Sequence, residues 1–157
     1  KISEVHGMSQ RGGSVVTYVR YGKKVHSPVI EKGEADILLS FELLEAARYL
    51  PYVKEGGLVV SNTGEIDPIP VITGAMGYPK SLEDKLEQLP LTLDFCDALA
   101  LAEQAGSART VNVVLLGVLA KHLDFPLSDW EDAVREIVPP RFTDMNLQAF
   151  ALGYKAE

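Results

Sequence analysis

Eleven residues near the amino terminus, EVHGMSQRGGS at positions 4–14, concentrate the groups that can do chemistry: a carboxylate (Glu4), an imidazole (His6), two hydroxyls (Ser9, Ser14), an amide (Gln10), a guanidinium (Arg11) and three glycines. Little of this suits an apolar core, so the stretch reads as a loop that meets a ligand or a partner. His6, Gln10 and Arg11 supply donors. Gly7, Gly12 and Gly13 permit positive φ and let a phosphate, a carboxylate or another backbone approach the main chain. Arg11 is the most telling residue, because its planar fork suits two-point capture of a carboxylate or phosphate. The plainer reading of the same residues is an exposed connection whose glycines only make turns.

Other chemistries find no support. The three histidines, His6, His26 and His122, are far apart and lack metalloprotease spacing. The single cysteine, Cys96, excludes an internal disulfide and a cluster held by this chain alone, and its place after Phe95 in an apolar run reads as a buried inert thiol. Ser14 after Gly12 and Gly13 is followed by a strand rather than the helix of a nucleophile elbow. There is no phosphate loop or Gly-x-Gly-x-x-Gly motif, and Gly74 to Gly77 reads as a turn. Glu42 and Glu45 flank a helix start and read as solvated carboxylates favoured by the helix dipole. His122 reads as a dipole partner at a helix end, and Trp130 as a core contact or an interface anchor. A formal charge of −7 argues against nucleic acid or an anionic membrane as partner. No apolar run reaches the ~18 residues of a membrane span and no secretory signal opens the chain, so the cytoplasm is the expected compartment.

The elements that must position these groups follow from periodicity. With 157 residues and 46% hydrophobic content, the chain suits one domain with a substantial core. Residues 14–21 are rich in β-branched and aromatic types, Gly22 and Lys23 turn, and residues 24–30 return, which predicts a β-hairpin. Residues 36–41 predict a strand covered on both faces, residues 43–50 a helix stopped by Pro51, and residues 58–62 a second buried strand, together a βαβ unit. The loop 63–70 then lies where strand ends of α/β sheets face ligands. Residues 71–73 predict a short strand, 81–89 a helix capped by Ser81, 91–95 a strand and 98–104 a helix stopped by Gly106. Thr110 is placed to cap an apolar helix over 111–123 that needs more than one covering neighbour. Helices over 128–138 and from Thr143 to about Lys155 complete the chain. The expected architecture is a three-layer α/β/α sandwich with a mostly parallel sheet carrying a β-hairpin, and an α-helical carboxyl third.

The opening block, followed by the valine-rich stretch ending in Ser27-Pro28-Val29-Ile30, resembles the small subunit of indolepyruvate:ferredoxin oxidoreductases, which belong with the gamma subunits of 2-oxoacid:ferredoxin oxidoreductases. Further resemblance runs in the same order through residues 34–46, 56–63, 112–117 and 138–140 to the closing helix, so it covers nearly the whole chain. The resemblance implies one gamma-type domain over 1–157, acting as an accessory subunit of an enzyme that decarboxylates a 2-oxoacid oxidatively with coenzyme A, giving acyl-CoA, CO2 and electrons for ferredoxin. It implies thiamine diphosphate and 4Fe-4S clusters on large partner subunits, with coenzyme A as a shared substrate, and ferredoxin, met indirectly, as a further partner. His6, Gln10, Arg11, Gly12, Gly13 and Ser14 would then meet the substrate or coenzyme A. Members of that family begin with a strand, a Gly-x-Gly-Gly-Gln-Gly loop and a helix ahead of the region matching Lys1, and this sequence holds no counterpart of them. A freestanding module binding coenzyme A or a nucleotide, and a scaffold that touches no ligand, are the competing readings; ligand binding by the isolated chain marks the former, loss of assembly rather than turnover the latter.

Overall fold

The structure, a computed structural model, describes residues 1–6 and 15–156, the side chain of His6 excepted. Its centre is a parallel sheet in the order β3 (Ala35–Ser40), β4 (Val53–Asn62), β5 (Thr92–Cys96). Alternation along β4 explains the continuous apolar run read from the sequence. Leu58 and Val60 face one helical layer and Val59 faces the other, so successive side chains enter different cores. On one face α1 (Leu43–Tyr49) packs through Ala46 against Val59 and Leu38. On the other, α4 (Ala98–Gln104), α5 (Val111–Ala120), α6 (Leu127–Ile137) and α7 (Thr143–Lys155) form the main core around Val114, Leu115, Val118 and Phe150. Each such side chain contributes about 1.5–3 kcal/mol by leaving water. The sandwich and the helical carboxyl third are therefore as expected.

Early β4 pairs irregularly. Ala35 lies opposite Val53 while Ile37 lies opposite Leu58, so residues 54–57 bulge, and a Cβ on Gly57 would come within 2.5 Å of Val53 Cγ1. That is why the strand starts five residues before its apolar run.

The main core is built around a close helix crossing. A Cβ on Gly153 of α7 would stand 1.9 Å from Val114 O of α5, and one on Gly117 of α5 would stand 2.2 Å from Phe150 O. Two glycines thus let the backbones touch, and α5 is covered by the sheet, α4 and α7, as its uninterrupted apolar surface requires.

Three elements differ from expectation. Strand β2 (Val15–Val19) pairs antiparallel with the upstream β1 (Ile2–His6), with Ile2 opposite Val19 and His6 opposite Val15, and residues 24–30 form no strand. Pro28 removes a ladder donor, and Ser27 Oγ takes the Val29 N–H at 3.2 Å in a local turn. Residues 69–72, expected partly as strand, are the short helix α2 (Ile69–Ile72), which Pro70 suits because a first-turn proline sacrifices no helical bond. Helix α3 (Leu82–Leu86) follows Ser81, whose φ of 54° leaves its hydroxyl without a capping bond.

The two-stranded β1–β2 sheet is fastened to the body by side chains. Arg20 donates to Glu34 at 2.6 Å and to Val29 O at 3.2 Å, and the Tyr21 ring lies 6.2 Å from Phe125. From Phe125 a row of rings continues through Trp130 (5.9 Å) and Phe150 (6.3 Å) to Tyr154 (6.3 Å). Trp130 is thus a core contact, with its indole N–H buried and unpartnered among the described residues.

Candidate functional site at the carboxyl ends of the strands

Three strands deliver their carboxyl ends to one place, and a single amide knits them together. Asn62, the last residue of β4, donates from Nδ2 to Phe41 O beyond β3 at 3.1 Å and accepts at Oδ1 from Ala98 N beyond β5 at 3.0 Å. Thr63 N donates to Cys96 O at 3.0 Å. Gly64 makes room, since a Cβ there would meet Asn62 Nδ2 at 2.7 Å. Buried amide and backbone groups are thereby satisfied without water.

Beside this clasp lies a buried carboxylate. Glu42 stands immediately before α1 and is 6% exposed. Its Oε2 accepts from Glu45 N at 2.8 Å, capping the helix, while Oε1 accepts from Ile66 N at 3.3 Å and from the Tyr78 hydroxyl. Burial, followed by the hydrogen bond to Glu42, pushes Tyr78 well above the usual tyrosine range. The expectation of a solvated Glu42 fails because its partners lie 24 and 36 residues further on. Glu45 instead pairs with Arg48 across one turn. His122 likewise serves a side chain rather than a helix end: its Nε2 is 2.6 Å from Asp94 Oδ2, and Lys121 Nζ reaches the same oxygen at 2.8 Å.

Cys96 ends β5 inside this region and is buried. Burial first, then the Asp94 charge, pushes its thiol up to about 11, against the pull of Lys121. A group raised in the folded state contributes stability that is present below its unfolded value near 8.5 and is lost as pH climbs towards 11. Reaction with a neutral disulfide reagent at pH 8 is expected to be at least about a hundredfold slower in the native chain than in urea. Equal rates would refute the buried thiol.

Of the residues singled out in the opening block, Glu4 lies in β1 opposite Thr17, and His6 ends that strand opposite Val15. The block therefore begins as strand rather than loop. Gln10, Arg11, Gly12, Gly13 and Ser14 lie outside the described residues. The clasp at Asn62 and the Glu42 carboxylate were not anticipated; the one available signal was the turn-rich loop after β4. Among the described residues no three His, Cys, Asp or Glu side chains are grouped to hold a metal. Among the described residues no helix is long and apolar enough to cross a membrane.

A parallel sheet covered by helices on both faces, with its strand ends tied into one shelf, defines a three-layer α/β domain. The profile of the pyruvate ferredoxin/flavodoxin oxidoreductase family matches residues 1–156, and the chain belongs to that family. It is an accessory subunit of a ferredoxin-dependent 2-oxoacid oxidoreductase. Indolepyruvate oxidoreductase subunit IorB of Thermococcus kodakarensis is 44% identical over 99% of this chain and 80% of its own length. That of Pyrococcus horikoshii is 45% identical with the same coverages. In fold, the gamma subunit of the keto/oxoacid ferredoxin oxidoreductase of Geobacter sulfurreducens superposes with a TM-score of 0.64 at 20% identity, over 99% of this chain and 78% of that one.

Proposed function

We propose that the chain, with 1–157 acting as one gamma-type domain, is the small subunit of an indolepyruvate-type enzyme. In this reading it works beside a large subunit carrying thiamine diphosphate and 4Fe-4S clusters, and the pair converts an aryl-pyruvate and coenzyme A to acyl-CoA, CO2 and reduced ferredoxin in the cytoplasm. The identity of 44–45% to two IorB subunits over nearly the entire chain carries the substrate class. The chain's own donor set supports the division of labour, since one buried thiol with a raised pKa is unsuited to cluster ligation. The cofactor supplies the carbanion chemistry, and this subunit binds, orients and shields.

Positions 6–14 are the proposed contact with substrate or coenzyme A. Arg11 takes an anionic group in a two-point bond, His6, Gln10 and Ser14 orient it, and Gly12 and Gly13 admit it to the main chain. The pairing of His6 with Val15 supports this reading, because it anchors both ends of the connection on one short sheet. In the assembled two-subunit enzyme, Arg11→Ala is expected to lower kcat/KM for coenzyme A or the 2-oxoacid at least about tenfold, the loss of one charged hydrogen-bonding group, while assembly persists. Steady-state viologen reduction with indolepyruvate, phenylpyruvate and pyruvate measures both the effect and the substrate preference. Unchanged kinetics would remove Arg11 from the site, and a preference for pyruvate would overturn the aryl-pyruvate assignment.

A further inference from the structure

The segment from Gly64 to Tyr78 is held in place yet buries almost nothing of its own. Helix α2 has no buried residue. Ile66 is 68% exposed, Ile72 71% and Met76 67%, with Ile69 and the neighbouring Phe41 about half exposed. Local bonds tie the residues that carry these side chains together. Ile66 N reaches Glu42, the residue after Phe41, and Met76 N donates to Pro70 O at 3.0 Å, folding Met76 back on α2. Together they present on the order of 600 Å² of apolar-residue surface, the upper end of what a typical monomer exposes in one patch and most of the ~800 Å² each partner gives to a standard interface.

A second observation is independent of exposure. Apolar packing does not shape this segment, and the buried Glu42 carboxylate does, accepting from Ile66 N at the segment's start and from the Tyr78 hydroxyl at its end. A charged, desolvated anchor for a piece of chain that otherwise faces water is a device for presenting a preformed surface, which lowers the ordering cost of association. Within 64–78 the only charged residues are Glu65 and Asp67, both exposed, and the exposed Lys80 stands two residues beyond, so the charge beside the apolar centre is mainly acidic.

We propose that Phe41 and the Glu42-anchored segment 64–78 form the docking face for the large subunit of the same oxidoreductase, whose matching surface has an apolar centre and a basic margin. The occupant follows from family membership, since the chain is an accessory subunit, and the inference rests on that reading. Tyr78 and Glu42 are positioning residues for this face. They touch no reacting group and act by holding Ile66, Ile69, Ile72 and Met76 in register with the partner.

The test uses the full chain co-expressed with its large subunit. The double variant Ile72→Asp/Met76→Asp is expected to keep its circular dichroism and thermal midpoint, because neither side chain is buried, while affinity for the large subunit falls at least a hundredfold in a titration followed by sedimentation velocity. Tyr78→Phe is expected to lower affinity about tenfold through a slower association rate. The control Ile137→Asp, at an exposed isoleucine on α6, is expected to assemble normally. Hydrogen exchange should show amides 64–78 exchanging more slowly in the complex than in the isolated chain. Undiminished affinity of the double variant, equal loss in the Ile137→Asp control, or unchanged exchange over 64–78 would each overturn the docking face while leaving the subunit assignment intact. Loss of self-association by the double variant, with large-subunit binding unaffected, would assign the face to a second copy and overturn the inference. Failure of the unsubstituted chain to bind any large subunit would instead sink the subunit assignment itself.

Discussion

Gly153→Ala is expected to destabilise the chain by about 3 kcal/mol or more, a large fraction of the roughly 5–15 kcal/mol that holds a domain together. The methyl would stand 1.9 Å from Val114 O, a position no rotamer can relieve because both atoms belong to backbone. Either α7 moves off α5 or both helices distort, and Phe150 and Val114, fully buried at the same crossing, lose contact with each other's surroundings. Gly117→Ala should behave alike, since its methyl would meet Phe150 O at 2.2 Å. Gly77→Ala supplies the contrast: nothing lies within 4 Å of its Cβ position, and the change should stay within about 0.5 kcal/mol. Urea unfolding midpoints decide the matter. A Gly153→Ala chain as stable as the Gly77→Ala chain would mean that α5 and α7 do not cross at this distance.

Glu42→Ala should produce the next largest effect, about 2–4 kcal/mol, because three donors lose their acceptor at once and one of them caps α1. Glu42→Gln is expected to fall between the two, since a carboxamide offers one acceptor oxygen where two are used. Tyr78 adds a pH signature. Its hydroxyl is raised in the folded chain, so the stability it contributes is complete below the ordinary tyrosine value near 10 and declines as pH rises above it. Stability between pH 10 and 11.5 should therefore fall more steeply in the unsubstituted chain than in Tyr78→Phe. Parallel slopes would show that the hydroxyl is not held by Glu42.

The layers of the fold were legible because their signals are local. Residues 37–39 and 58–60 are consecutive apolar residues, as a strand covered on both faces requires, and Pro51 and Gly106 punctuate the helices where the structure ends or bends them. Pairing was less legible. The stretch 14–21 was expected to pair downstream, where a glycine turn joins it to residues 24–30; the antiparallel register of Val15–Val19 with Ile2–His6 makes the upstream strand its partner. The clasp at the strand ends escaped notice for a different reason. Asn62 and Glu42 are polar residues at element boundaries, where solvent exposure is the usual outcome. Their burial depends on Ala98, Ile66 and Tyr78 arriving from far along the chain. The opening block, by contrast, was conspicuous from residue types alone, since a guanidinium among glycines has no structural use in a core.

The row of rings from Tyr21 to Tyr154 gives the molecule a built-in optical gauge. Trp130 is the sole tryptophan, it stands between Phe125 and Phe150, and its indole N–H is buried without a partner among the described residues. Its emission should lie at the blue end of the tryptophan range while the row is closed. The outermost ring on one side, Tyr21, stands two residues after β2. A ligand or subunit that displaces that strand is expected to move Tyr21 against Phe125 and change the surroundings of the indole, so the colour and intensity of one fluorophore would report on events at the amino-terminal sheet without a label.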